Sequence, residues 1–398
     1  MATFVADIEL SATLPTLGPL NGAQSVLALV RWQGRPIGLI RVEAEGDHAL
    51  PAQLMVAIAS QVARPRHLTT PPTGTFQPVS VVVCTHERPD DLARCLDALA
   101  PIARAGHEVL VVDNAPRTGR TAELVARYPF RYLGEQERGL NRARNLGLRA
   151  ARHAIVAYTD DDTVPDPNWA NALAQAFASP EVGCVTGLVF PIELETQAQE
   201  LFETYCAHRR TFEQQVLVAP HVQPAAAGVA GMGANMAFRR DLLLRLGGFD
   251  PRLDGGTATR SGGDTDMFAR VLETGAQIVY TPDALVWHRH RREMAQLRSC
   301  LFGYGVGLYG FLTKRLVEAH DLQASIIAAR WLIGPFVKAV QRRMRGQSAL
   351  PLSLLLVEAS GAFFGPMSFW RETRRHNQWQ QPIVALTSEE VVPNYPRG

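Results

Sequence analysis

The amino-acid sequence predicts an α/β protein built on a doubly wound, mostly parallel sheet, with a small N-terminal α+β unit and a helical C-terminal region. Short Val-rich runs alternate with helical segments between residues 79 and 159. Such alternation is typical of a parallel sheet covered by helices on both faces. A hairpin-like pattern precedes this part, and long apolar segments of helical length follow residue 292.

Length, charge and cysteine content narrow the class of protein. A chain of 398 residues, 46% hydrophobic and 20% charged, is expected to fold into two or three domains. Its 40 Lys and Arg against 38 Asp and Glu leave a net charge of +2, so we expect no nucleic-acid partner. Five scattered cysteines without C-x-x-C spacing, and an N-terminus without a signal-peptide pattern, favour a cytoplasmic protein.

Residues 1–72 are predicted to form a small accessory domain. Apolar runs at residues 25–30 and 37–42 flank a Gly-Arg-Pro turn and predict a hairpin. Residues 50–62 repeat apolar side chains at helical spacing, and the Thr- and Pro-rich segment 69–74 is typical of a linker. No residue here suggests chemistry, so the sequence leaves the role of this domain open.

Residues 78–292 are predicted to form the sheet domain. Its buried strands are expected at residues 79–84, 109–112 and 154–159, each followed by polar residues. Ligands of parallel sheets bind at the carboxyl ends of the strands. The polar residues that follow each strand are therefore the first candidates for a functional site.

The strongest local signal is the carboxylate triplet Asp160, Asp161 and Asp162, directly after a buried strand. Adjacent carboxylates repel one another, so a fold tolerates them on a solvated surface or around a cation. Oxygen ligands suit Mg²⁺ or Mn²⁺, which can also hold a diphosphate. Asp160 and Asp162 point to the same side if the strand continues, and could share one metal ion. The alternative is an acidic turn before the next helix.

Two weaker signals accompany the triplet. Asp113 and Asn114 end the second strand, where a carboxylate can accept hydrogen bonds from a base or ribose and where an Asx turn is equally favoured. Arg142 and Arg144 lie on different faces of a predicted helix, so at most one need point at the site. A guanidinium there suits phosphate oxygens, and an exposed surface Arg is the alternative.

Asp264 and Asp266 follow two glycines before an apolar helical run. Carboxylates at this position either cap the helix or, in one case, act as a general base. His288 follows another apolar run and is structural when alone. Beside a carboxylate cluster it becomes a candidate third metal ligand.

Residues 293–398 are predicted to be helical. Charged residues interrupt each of three long apolar segments, which disfavours a transmembrane span and leaves interfacial helices and ordinary core helices as open alternatives. Between Arg289 and Arg345 there are 11 Lys and Arg against three Asp and Glu. Such a basic stretch can bind RNA, acidic lipid or phosphorylated ligands, and the charge alone does not choose among them; our hypothesis is a peripheral contact with an anionic lipid surface.

Six short motifs occur in a fixed order along the central part of the chain. They are Val-Val-Cys84-Thr85-His-Glu-Arg88-Pro, Val-Val-Asp113-Asn114, Gly-Leu-Asn-Arg-Ala-Arg144-Asn145, Thr-Asp160-Asp161-Asp162, Gly233-Ala-Asn235-Met-Ala-Phe and Gly263-Asp264-Thr-Asp266. Each is weak alone. In this order the series resembles the family 2 glycosyltransferases of GT-A fold, over about residues 79–290.

The resemblance implies an inverting transferase that uses a nucleoside-diphosphate sugar and Mg²⁺ or Mn²⁺. It implies that Asp160 and Asp162 hold the metal ion, and that Asp264 is the base. Many members have Glu before this Asp, and Gly263 stands there instead, so Asp266 stays open as the base. By position, the residues expected at the donor are Thr85, Arg88, Asp113, Asn114, Arg144, Asn145, Asp161, Gly233 and Asn235.

The acceptor is expected to be a glycan, a lipid-linked sugar or a small-molecule alcohol. Processive members carry Q-x-x-R-W on a late helix, and here Ile327 replaces the Gln before Arg330-Trp331, so we expect transfer of single sugars. Two alternatives remain. One is a nucleotidyltransferase that activates a sugar phosphate, although the Gly-rich loop typical of that class is missing after the first strand. The other is a transferase-like binding protein without turnover. We expect a cytoplasmic location, with contact at the inner face of the plasma membrane through the C-terminal helices.

Overall fold

A computed structural model describes residues 2–62, 76–206, 210–346 and 349–376, apart from the side chain of Cys206. The predicted linker at 69–74 lies outside these residues. The elements of the first part are β1 (Thr3–Glu9), β2 (Ser25–Trp32), β3 (Arg35–Glu43) and α1 (Pro51–Gln61). Those that follow up to the acidic triplet are β4 (Val79–Thr85), α2 (Pro89–Arg104), β5 (Glu108–Asn114), α3 (Arg120–Val125), β6 (Arg131–Glu135), α4 (Leu140–Ala150) and β7 (Ile155–Asp160).

The remaining elements complete the large sheet and add three long helices. They are β8 (Thr163–Pro165), α5 (Trp169–Ala176), β9 (Val182–Pro191), α6 (Gln197–Cys206), β10 (Gln215–Leu217), β11 (Asn235–Arg239), α7 (Arg240–Arg245), α8 (Gly263–Glu273), β12 (Gln277–His288), α9 (Met294–Glu318), α10 (Gln323–Met344) and α11 (Leu352–Arg375). The predicted α/β class with a helical C-terminal region is confirmed.

The large sheet has the strand order β10-β12-β9-β11-β7-β4-β5-β6, and β8 pairs with β12. Strands β7, β4, β5 and β6 run parallel, as do β9 and β12, while β11 runs antiparallel between β7 and β9. Alternate residues of β4 enter two different cores: Val82 packs with α4, α7 and α8, and Val81 packs with α2 and α5. Helices therefore cover both faces of the sheet, as the alternating pattern predicts.

The N-terminal part forms a three-stranded sheet in the order β1-β2-β3. One face of this sheet packs on α1 around a core that includes Ile40 and Leu54. Its other face places Leu27 and Leu29 against Phe190 of β9, so the small sheet covers that end of the large one. The predicted hairpin of β2 and β3 is present, whereas β1 was not predicted. The division into residues 1–72, 78–292 and 293–398 stays a prediction.

Helices α9 and α11 pack closely because glycines remove the side chains between them. A Cβ atom on Gly305 would lie 2.0 Å from the carbonyl oxygen of Glu358, and one on Gly361 would lie 2.5 Å from that of Phe302. Gly305 belongs to the G-x-G-x-x-G match at residues 305–310, which lies inside α9 and not after a strand. These glycines serve helix packing rather than phosphate binding.

Candidate active site

The parallel strands end at a cleft of about 920 Å³ on one edge of the sheet. Its walls include the ends of β4 and β5, the acidic turn after β7, the loop at residues 254–256 and the N-terminal half of α9. Both acidic and basic side chains line it. The acidic ones are Asp91, Asp160, Asp161, Asp162, Asp254 and Glu293, and the basic ones include Arg88, Arg138, Arg260, Arg289, Arg291 and Arg292.

Asp160, Asp162 and His288 form a cluster suited to a metal ion. One ligand atom from each lies within 4.8 Å of the others. The backbone explains this proximity, because β7 ends at Asp160, a tight turn follows, and Thr163 of β8 pairs with His288 of β12. His288 Nε2 lies 3.4 Å from Asp162 Oδ1. Two carboxylates and an imidazole match the ligands that Mn²⁺ accepts, so the residues present fit the expected metal ion.

The three carboxylates of the triplet have different proton affinities. Burial raises the pKa of Asp160, with repulsion by Asp162 as the second cause. For Asp162 burial acts in the same direction, but the pKa is lowered overall by His288, Arg291 and Arg88. Burial and then Asp162 raise the pKa of Asp161 to about 7, although the Thr85 hydroxyl donates to its Oδ2 at 2.7 Å. Asp162 is thus the most firmly ionised member, which suits a metal ligand.

The ends of β4 and β5 place the residues expected at the nucleoside. Thr85, Arg88 and Asn114 line the cleft. Asp113 is fully buried behind them, where the Tyr132 hydroxyl donates to its Oδ2 at 3.1 Å and burial raises its pKa. The Asn114 amide donates to the Glu137 carbonyl and accepts from the Gly139 N–H, both at 2.9 Å. Asn114 therefore shapes the loop that leads into α4.

Arg144 joins the two acidic parts of the site. It is buried, donates to Asp254 Oδ2 at 2.6 Å and to Asn141 Oδ1 at 3.0 Å. Burial opposes its charge, yet Asp254, Asp160 and Asp264 outweigh burial and raise its pKa. Arg142 points elsewhere, to Glu137 and His376. As expected from their spacing, only one of the two arginines faces the site.

The structure separates Asp264 from Asp266. Asp264 is half-buried beside Arg144; its Oδ2 accepts the Gly233 N–H at 2.8 Å and its Oδ1 the Thr265 N–H at 2.7 Å. Burial, and then Asp254, raise its pKa. Asp266 is fully buried on the other side of α8, where it pairs with Lys314 at 2.6 Å and with Arg270 at 2.9 Å. This placement argues against Asp266 as the base.

Two residues expected at the donor are bonded within the fold instead. Asn145 exchanges two hydrogen bonds with the backbone of Phe249, at 2.8 and 2.7 Å. Asn235 is buried, accepts from the Trp169 indole at 2.8 Å and donates to the carbonyls of Leu188 and Ala284. Both amides hold strands and loops together, which argues against direct donor contact. Gly233 does lie at the site, with its N–H on Asp264.

The sequence reasoning missed several residues of the site. Asp254 lines the cleft with φ at 84° and pairs with Arg144. Its position before Gly255-Gly256, in a loop after an apolar segment, was an available signal. Arg291 lies 3.2 Å from Asp162 and was counted only as part of the basic excess. His290, buried behind His288, had no signal of its own because its partner Glu203 is distant in the sequence.

An acidic, metal-fitting cleft with basic walls, at the carboxyl edge of an α/β sheet, defines a class of proteins that bind phosphorylated ligands. Residues 80–244 match the model of glycosyl transferase family 2. This match confirms the resemblance that the six motifs carry, over the matched residues.

Individual glycosyltransferases are similar to this chain at 25–27% sequence identity. The pre-mycofactocin glycosyltransferase of Mycobacterium tuberculosis is 27% identical over 243 residues, which are 60% of this chain and 48% of the relative. The chain thus spans about half the length of that relative. Glycosyltransferase AglE of Haloferax volcanii is 25% identical over 67% of this chain and 83% of its own.

Solved structures show a similar shape at low identity. The mannosyltransferase PcManGT of Pyrobaculum calidifontis, solved with GDP-Man and Mn²⁺, is 21% identical over 77% of this chain and 89% of its own, with a TM-score of 0.48. Glucosyl-3-phosphoglycerate synthase of Mycobacterium tuberculosis, solved with Mn²⁺, UDP and phosphoglyceric acid, is 18% identical over 60% of this chain and 78% of its own, with a TM-score of 0.41.

Proposed function

We propose that the protein is a metal-assisted, inverting glycosyltransferase that moves one sugar from a nucleoside diphosphate to an acceptor hydroxyl. The observation that carries the proposal is Arg144, which links the metal-fitting cluster to Asp264. Arg144 pairs with Asp254 at 2.6 Å, and its pKa is raised by Asp254, Asp160 and Asp264 against the effect of burial. A leaving diphosphate and a general base are the two groups that such a transfer must place on opposite sides of the sugar.

In this mechanism Thr85, Arg88 and the β5 end hold the nucleoside part of the donor. A divalent ion held by Asp160, Asp162 and His288 would neutralise charge on the diphosphate. The acceptor oxygen forms a bond to the sugar carbon as the bond from that carbon to phosphate breaks, and the electron pair leaves with the nucleoside diphosphate. Arg291, which lies 3.2 Å from Asp162, and Arg144, which pairs with Asp254, are the proposed cations that stabilise the added negative charge.

Asp264 is the proposed base for the acceptor proton. Two backbone N–H groups hold its carboxylate in one orientation, and the Thr265 hydroxyl also donates to Oδ1, so Oδ2 is the oxygen proposed to accept the proton of the acceptor hydroxyl. Its raised pKa brings its basicity closer to that required at neutral pH. Asp254 lines the cleft, but its Oδ2 is already occupied by Arg144 at 2.6 Å.

The test is a thermal-shift screen of nucleotide sugars with and without Mn²⁺, because a donor that binds the native state stabilises it. We expect Asp162→Ala to lose the Mn²⁺-dependent shift. Asp91→Ala is the matched control, since Asp91 lines the same cleft but lies outside the metal-fitting cluster. An equal Mn²⁺-dependent shift in Asp162→Ala and in the control would overturn the metal assignment. Pyrophosphate release from a nucleoside triphosphate and a sugar 1-phosphate would favour the nucleotidyltransferase alternative.

We also propose that helices α10 and α11 contact an anionic membrane surface, at the inner face of the plasma membrane. The largest exposed apolar side chains of this region are Leu322, Ile326, Ile333, Val337, Val340, Met344, Leu352, Leu356, Phe363, Phe364, Met367 and Trp370. Helix α10 adds four exposed cationic residues, Arg330, Lys338, Arg342 and Arg343, and has no acidic one. An apolar face flanked by basic residues suits acidic lipid headgroups.

By length and composition α11 is the one described helix that could cross a membrane, and one such helix is weak evidence for a span. The membrane contact is tested by co-sedimentation of the full chain with anionic and with neutral vesicles. Phe363→Ser with Met367→Ser is expected to release the protein from anionic vesicles. Val216→Ser, at an exposed apolar position on β10, is the control. Equal binding to both vesicle types, or none, would contradict the proposal.

A further inference from the structure

A row of four side chains runs from the metal-fitting cluster into the interior. His288 Nδ1 lies 3.1 Å from His290 Nδ1, and His290 Nε2 lies 3.2 Å from Glu203 Oε2. Arg210 donates to both oxygens of Glu203, and its Nη2 lies 2.8 Å from Oε2. His290 and Glu203 are buried, whereas His288 opens to the cluster.

The protonation of Glu203, at the inner end of this row, determines which atom donates in each hydrogen bond. Glu203 is ionised, because His290 and Arg210 outweigh the effect of burial and lower its pKa to about 2. A carboxylate only accepts hydrogen bonds, so His290 carries its hydrogen on Nε2. A neutral imidazole with hydrogen on Nε2 has a lone pair on Nδ1. His288 must therefore donate from Nδ1, and its own lone pair is on Nε2.

The lone pair of His288 points at the cluster. Its Nε2 lies 3.4 Å from Asp162 Oδ1, an oxygen that also carries lone pairs. When the His288 ring is neutral in this tautomer, the two atoms repel each other unless a cation lies between them. A histidine held in this tautomer is thus prepared as a metal ligand, and a carboxylate behind it is a common way to orient a ligating histidine.

Packing keeps this row in place. The ring of Phe202 meets His290 edge-on with centroids 4.7 Å apart, and the Arg210 guanidinium lies over Phe190 at 4.9 Å. The backbone carbonyl of His290 accepts from Gln199 at 3.4 Å. His290 is therefore oriented by its contacts with α6.

We infer that His290 and Glu203 are positioning residues that hold His288 as the Nδ1–H tautomer and present its Nε2 to a divalent cation. This inference rests on the metal site of the proposed function. It predicts that metal affinity depends on an acceptor atom at position 290, even though that atom touches neither the ion nor the donor.

The first test measures binding of Mn²⁺ alone to the full chain, from the spectrum of free Mn²⁺ by electron paramagnetic resonance. His290→Phe retains the ring packing but has no acceptor, and we expect affinity to fall about 10- to 100-fold. His290→Asn offers an amide oxygen near the position of Nδ1, and we expect it to restore most of the affinity. His107→Phe replaces a buried histidine elsewhere and is the control for folding.

The second test reads the tautomer directly, by nitrogen-15 NMR of histidine side chains in the metal-free protein. Wild type is expected to show His288 protonated at Nδ1, and Glu203→Gln is expected to show a mixture. Hydrogen on Nε2 of His288 in wild type would overturn the inference.

The outcomes separate the two proposals. If Asp162→Ala loses Mn²⁺ binding while His290→Phe binds like wild type, the positioning role is wrong and the metal site stands. If wild type binds no Mn²⁺, the metal site of the proposed function fails, and the inference fails with it.

Discussion

Asp264→Asn and Asp266→Asn make the same chemical change two residues apart and are expected to have opposite effects. Asp264 lies beside Arg144 at the site, whereas Asp266 lies in a buried ion pair with Lys314 and Arg270. The first substitution should reduce the rate of transfer with little loss of stability. The second should reduce stability.

The magnitudes follow from the contacts. Asp266→Asn removes the charge that faces Lys314 at 2.6 Å and Arg270 at 2.9 Å. Breaking a buried pair costs about 3–5 kcal/mol, and we expect about 3 kcal/mol because Lys314 retains Asp250 at 2.8 Å. Asp264→Asn keeps one oxygen acceptor and loses one hydrogen bond, or about 1 kcal/mol. Loss of a general base lowers the rate about 10²- to 10⁴-fold.

The assay combines urea unfolding, followed by tryptophan fluorescence, with turnover of the donor found in the thermal-shift screen. Both variants are measured at a temperature where each is folded. Loss of turnover in Asp266→Asn at wild-type stability, with turnover retained in Asp264→Asn, would refute the assignment of the base.

Three further predictions concern pH and packing. The pKa of Asp161 is raised to about 7, so the free energy of unfolding of the metal-free protein should fall as pH rises from about 4 to 7. In urea titrations, Asp161→Asn should weaken this dependence on pH, and an unchanged dependence would contradict the raised pKa. The pKa of Glu203 is lowered to about 2, so wild type should be more stable than Glu203→Gln above about pH 5 and should lose this advantage as pH falls towards 2. An advantage that does not change with pH would contradict the lowered pKa. Gly305→Val should separate α9 from α11 and lower the melting temperature, while Gly334→Val, where nothing lies within 4 Å, should not; equal melting temperatures would show that the two helices pack differently.

The sequence predicted the sheet and the edge that holds the site because both depend on local patterns. The buried run at residues 79–84 and the acidic triplet after residue 159 are contiguous in the chain, and parallel strands bring their carboxyl ends together without further information. The expected convergence of Asp160 and Asp162 with His288 needed only the order of strands β7, β8 and β12.

Residues whose role depends on distant partners were harder to interpret. Asn145 and Asn235 resemble donor contacts in their motifs, yet each amide bonds to backbone groups that are remote in the sequence. Asp266 has a cationic partner, Lys314, on a helix that begins 28 residues later, in another predicted region. Glu203 pairs with His290 across 87 positions. Such pairs leave no periodic pattern in a single sequence.

The placement of the N-terminal sheet also depends on contacts between residues that are distant in the sequence. Its hairpin was predicted from two apolar runs and the turn between them, but β1 runs parallel to β2 and has no such turn beside it. The ion pairs Arg35–Asp283 and Arg31–Asp166, which fasten this sheet to the large one, join residues more than a hundred positions apart.

Helix α9 has two neighbours at once. Gln296, Ser299 and Gly303 form part of the cleft wall, while Gly305 lies against α11, whose outer side carries exposed Phe363. The same helix therefore connects the cleft wall to α11. Under the proposed membrane contact, the depth of the outer helices in the lipid would set the distance between the cleft and the membrane surface.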